Sequence, residues 1–153
     1  MIKEKDIDQI AEQISTMDFE SLLMEIKQNY PLIHSYLLNE QMSLLSEEEY
    51  QLLWFDAMVI LKSCERCGNI QKDLDQARLE DYESDNWAKF ENSKPAGFRD
   101  KLDVFFNETD QEDLLAFIED SLADDDEMQV SSAAKEIIFI VLKSLVDLLT
   151  ETE

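Results

Sequence analysis

Apolar residues recur along this chain at the spacing of helices packed by one face. Ile7, Ile10, Ala11, Ile14 and Met17 share one side of a first amphipathic helix. Asp18 stands where a cap is needed for a second, whose apolar positions are Phe19, Leu22, Leu23 and Ile26. Tyr30-Pro31 interrupts it, because a residue before proline avoids the α region, while Pro31 suits the first turn of a helix running through Leu37 and Leu38. Ser46-Glu47-Glu48-Glu49 reads as a capping box, with Glu49 able to reach back to the Ser46 amide. The helix behind it carries Leu52, Leu53, Trp54, Phe55, Met58, Val59, Ile60 and Leu61, an apolar arc wide enough for the centre of a bundle. Gly68 is placed to end it in a left-handed conformation.

The pattern weakens from Asn69 to Asn92. Ile70, Leu74 and Ala77 share one face while Leu79, Tyr82 and Phe90 point elsewhere, giving one exposed helix or two with a break near Ser84-Asp85-Asn86. Lys94-Pro95-Ala96-Gly97 marks a turn or helix start, and Phe98, Leu102 and Phe105 form the next stripe. Thr109-Asp110-Gln111-Glu112 reads as a second capping box, before Leu114, Leu115, Phe117, Ile118 and Leu122. An acidic loop, Asp124 to Glu127, follows.

The last helix is expected to start at Ser131 or Ser132. It holds Ile137 to Leu142 as one apolar run, then Leu145, Val146, Leu148 and Leu149. Such a run has strand propensity by itself, but the pattern continues for about 18 residues without a breaker, which favours a helix. A helix apolar on nearly every side must be covered on every side. It is the centre of the domain or half of a subunit interface.

Composition agrees with this reading. Two glycines and two prolines in 153 residues cannot supply the turns that a β-sandwich needs about every 8–12 residues. The expected fold is all-α, a compact bundle of about six or seven helices with a buried, strongly apolar C-terminal helix, residues 1–153 forming a single helical domain. No apolar segment follows Met-Ile-Lys-Glu-Lys-Asp, and no stretch of about 20 uncharged apolar residues exists to span a membrane. Two cysteines cannot form a multi-bridge framework, so a cytoplasmic location is expected.

Candidate chemistry is sparse. Cys64 and Cys67 form a CxxC, a candidate redox pair. It lies near a helix C-terminus, where the helix dipole opposes the thiolate, so packing is the simpler role. His34 is the lone histidine and has no set of co-ligands for zinc or a di-iron centre. Asp124-Asp125-Asp126-Glu127 lacks the alternating spacing and central glycine of an EF-hand. There is no Gly-x-Ser-x-Gly elbow and no phosphate-cradling glycine loop. No catalytic residue, metal ligand or cofactor is assigned. Trp54 and Trp87 read as core or partly buried anchors, and Met17, Met24, Met42 and Met58 as gap-filling core residues.

Charge narrows the functional classes further. With 36 acidic against 13 basic residues the net charge is −23, which disfavours direct binding to nucleic acid or to an anionic membrane. Between Asn69 and Val130 lie 19 acidic and 6 basic residues, a net −13. Asp81, Glu83, Asp85, Asp124, Asp125, Asp126 and Glu127 are therefore the candidate partner-facing residues. Two readings follow: a non-catalytic helical protein-interaction module or small homo-oligomer, and an acidic DNA mimic or immunity-type inhibitor binding a basic protein.

Overall fold

The computed structural model describes residues 2–68, 70, 74–92, 97–123 and 129–151. Among these there is no strand. The helices are α1 (Glu4–Ser15), α2 (Phe19–Asn29), α3 (Pro31–Tyr36), α4 (Glu47–Cys67), α5 (Gln76–Asn92), α6 (Phe98–Lys101), α7 (Asp103–Glu108), α8 (Glu112–Ser121) and α9 (Ser132–Leu149), with a 3-10 turn at Glu40–Leu44. The all-α expectation holds: six of these helices have ten residues or more, and the others are single or double turns. No helix among the described residues is long and apolar enough to cross a membrane.

The core is built around α9. Ser131 caps it, its hydroxyl accepting from the Ala134 amide at 3.2 Å. Ile137 to Val146 are all buried, and the enclosing helices are α5, α4, α8 and α6 of the same chain. The apolar run thus finds its cover within its own sequence. Phe139 is the aromatic centre, edge-on to Phe105 at 5.1 Å and to Phe98 at 6.1 Å between ring centroids. The buried side of α4 supplies Leu53, Trp54, Ala57, Met58, Val59, Ile60 and Leu61, as its wide apolar arc requires.

Several local expectations are corrected. Gly68 is extended, at φ −142° and ψ 176°, and not left-handed; its N–H donates to the Cys64 carbonyl at 2.9 Å. Thr109 does not cap a helix directly. Its hydroxyl accepts from the Gln111 amide at 2.9 Å, closing a small turn, and α8 starts at Glu112. The stripe from Phe98 to Phe106 is split into α6 and α7 at Leu102, which is itself fully buried.

Within the segment expected to be an exposed helix or a broken pair, Gln76–Asn92 is one continuous helix, α5. It is the principal neighbour of α9, burying Leu79, Asn86 and Phe90. Met42 and Met58 are core residues, whereas Met17 and Met24 are exposed. Trp54 is buried and Trp87 half-buried.

Candidate functional site

On α5 the 3.6-residue repeat sorts acidic from apolar side chains. Glu80, Asp81, Asp85 and Glu91 are exposed on the face turned away from α9, with the small residues Ala77, Ser84 and Ala88 between them. The basic residues at the edges of this face are engaged by the chain's own carboxylates. Arg78 pairs with Glu151 at 2.7 Å, and Lys89 with Glu108 at 2.8 Å. Glu108 is held below the usual carboxylate range by its Lys89 partner, with a smaller contribution from Lys143. Glu151 also accepts from the Tyr82 hydroxyl at 2.6 Å, tying the chain beyond α9 to α5.

Asp81 and Asp85 thus lie on one open acidic face. Glu83 does not. Its Oε1 is sealed from solvent and faces the buried Tyr36 hydroxyl without a well-formed hydrogen bond. Burial raises the pKa of both groups. Asp124, Asp125, Asp126 and Glu127 lie outside the described residues.

The inner side of α5 borders a pocket of about 260 Å³ against α7 and α9, with Asn86, Lys143 and Asp147 among its lining. The Asn86 side-chain amide donates to Ser144 Oγ at 3.1 Å and to Asp147 Oδ2 at 3.0 Å. Asp147 in turn pairs with Lys143, which is buried. These polar groups satisfy one another, as burial demands.

Cys64 and Cys67 are free, the first buried and the second exposed. Burial pushes the Cys64 thiol up to about 12, with Cys67 and Glu65 adding to the effect. Slight burial and the nearby Asp6 carboxylate raise Cys67 as well. Both shifts disfavour the thiolate that redox exchange needs. His34 packs against Trp54 with ring centroids 5.7 Å apart and the rings tilted by 52°. Among the described residues no three His, Cys, Asp or Glu side chains converge so as to hold a metal ion.

Sequence reasoning missed the polar contacts of the interior. Asp56 is fully buried on α4. Glu49 does more than close its capping box: its second oxygen accepts from the Ser131 amide at 2.9 Å, linking the starts of α4 and α9. The available signal was a carboxyl or amide standing inside an apolar arc, as at Asp56 and Asn86. Compared with known proteins, the chain matches no family model, no curated protein and no solved structure.

Proposed function

We propose that this chain is a non-catalytic helical interaction module that binds a basic protein partner through the outer face of α5. The observation that carries the reading is the arrangement of that face. Four exposed carboxylates, on Glu80, Asp81, Asp85 and Glu91, stand among small side chains, while Arg78 and Lys89 beside them are already paired. Such a surface leaves carboxylates unneutralised and open to a large partner. It steers a cationic protein by long-range attraction and repels nucleic acid and anionic lipid. An acidic mimic of nucleic acid or an immunity-type inhibitor is the form of this activity that the charge favours, with a cytoplasmic setting.

The test compares immobilised wild type with a variant carrying Glu80→Gln, Asp81→Asn, Asp85→Asn and Glu91→Gln, both exposed to lysate at low and high salt. Basic proteins retained by the wild type at low salt and released by the variant support the reading. Equal retention on both, or none at any salt, removes it.

A second reading, a small homo-oligomer, has its own observation. Met17, Phe19, Met24, Leu38 and Leu44 are exposed, all within one stretch of chain from α1 to the 3-10 turn. Light scattering at two concentrations tests it. A mass that stays monomeric at both, or an assembly unchanged by Met24→Glu with Leu44→Glu, counts against it.

A further inference from the structure

Asp56 occupies the buried side of α4, between half-buried Phe55 and buried Ala57, with no exposure to solvent. A carboxyl there is costly unless its charge is paired or its proton retained. No cation pairs with it among the described residues. Its Oδ2 lies at hydrogen-bond distance from the hydroxyl of Ser121, the last residue of α8, and its Oδ1 has no partner.

Counting protons bears on the state of this contact. Ser121 Oγ lies close to Asp56 Oδ2 and also 2.8 Å from the Ile118 carbonyl oxygen. A serine hydroxyl has one proton and cannot donate fully to both. Were Asp56 ionised, the single Ser121 proton would have to be shared between its carboxylate and the Ile118 carbonyl. With Asp56 neutral, its own O–H donates to Ser121 Oγ, and the Ser121 proton goes to the Ile118 carbonyl. Both contacts are then hydrogen bonds, and the remaining orphan is a neutral carbonyl oxygen.

We propose that Asp56 is a protonated carboxylic acid in the folded protein and that its ionisation loosens α8 from α4, making this junction a pH-sensitive latch. The surroundings fit a proton held by enclosure. α1, α9 and α8 make the most contact with α4, and α2 and α3 touch it through Glu25 on Lys62 and His34 on Trp54. Glu119 pairs with Arg99, Lys143 with Asp147, and Asp120 and the acidic residues Glu4, Asp8 and Glu12 of α1 are exposed. Asp6 is half-buried and faces Cys67. On α4 itself, Glu49 is tied to Ser46 and Ser131, and Lys62 to Glu25 and Glu65. Burial raises the Asp56 pKa to about 7, and the Ser121 contact is the opposing influence.

The sign follows from the raised value. The folded state keeps a proton that the unfolded chain releases near its ordinary carboxyl range. The stabilisation is therefore complete below about pH 4, falls as pH rises and is gone above about pH 7, a change of about a thousandfold in the folding equilibrium.

The direct test is carbon-13 NMR of the Asp56 carboxyl in the wild type. The expected result is a neutral-acid shift at pH 5 and a single titration centred near neutrality. An ionised shift throughout pH 5–8 overturns the proposal. Asp56→Asn supplies an amide donor to Ser121 in place of the acid. In the wild type, hydrogen exchange of α8 amides, corrected for intrinsic rates, accelerates as Asp56 titrates, and Asp56→Asn abolishes that acceleration. The same pH dependence in both proteins overturns the latch. The NMR titration uses wild type alone, so a poorly folding variant does not remove the test.

Discussion

Glu49 is where one side chain joins the two longest helices, and replacing it tests how the core is held. Its Oε1 accepts from the Ser46 amide at 2.9 Å and its Oε2 from the Ser131 amide at 2.9 Å. Burial disfavours its charge, but donation by these two amides and the Ser46 and Ser131 side chains outweighs burial and lowers its pKa. Glu49→Gln keeps the size of the side chain and one acceptor, while its NH₂ group faces an N–H donor. One charge-assisted bond is lost and one part-buried amide is left without its partner, at a cost of about 2 kcal/mol. Glu49→Ala abandons both amides and costs about 3 kcal/mol, reduced where water reaches them.

For a chain of this size the Gln variant should melt about 4–8 °C lower at pH 7, followed by circular dichroism. A lowered carboxyl pKa stabilises the fold above its ordinary value of 4.5, and that stabilisation disappears as pH falls through the folded value. The gap between wild type and Glu49→Gln should therefore narrow on acidification. Equal melting temperatures at pH 7, or an undiminished gap at pH 3, would refute the reasoning.

Two further outcomes follow from the core. Phe139→Ala opens a cavity where Phe98 and Phe105 meet α9 and should cost about 3–5 kcal/mol by urea denaturation; a loss under about 1 kcal/mol would contradict α9 as the central helix. A thiol reagent should modify Cys67 in the native protein, and Cys64 only on unfolding, as read by mass spectrometry of the labelled peptides. Equal native labelling would place Cys64 outside the core.

The elements legible from the chain are those whose local signals and tertiary packing agree. Ser46 and Glu49 form the capping box their spacing predicts, and Ser131 caps α9. The apolar run from Ile137 to Leu142 is the centre of the core. Where the two levels diverge, the sequence is ambiguous. Asn86 reads as a breaker because its amide disfavours a helix interior locally, yet Ser144 and Asp147, about sixty residues onward, accept its hydrogens and hold α5 continuous. Glu83 reads as surface charge, but the helical repeat turns it toward Tyr36. Thr109 has the spacing of a cap and instead closes the turn before α8. Met24 fits an apolar pattern, although the burial of α2 is centred on Leu22 and Ile26 and leaves it outside.

At the candidate site, Asp81 and Asp85 were visible as charge; the neutralisation of Arg78 by Glu151 was not, because it joins residues far apart in the chain. The same limit hides the contact of Asp56 with Ser121, which lies on another helix.

The most direct test of α5 as the binding face is a backbone amide NMR map of the protein titrated with a basic protein captured by the wild type. The account predicts that the largest shifts fall on Glu80, Asp81, Ser84, Asp85, Ala88 and Glu91 and weaken as salt rises. Shifts confined to the stretch from Met17 to Leu44, or indifferent to salt, would contradict it.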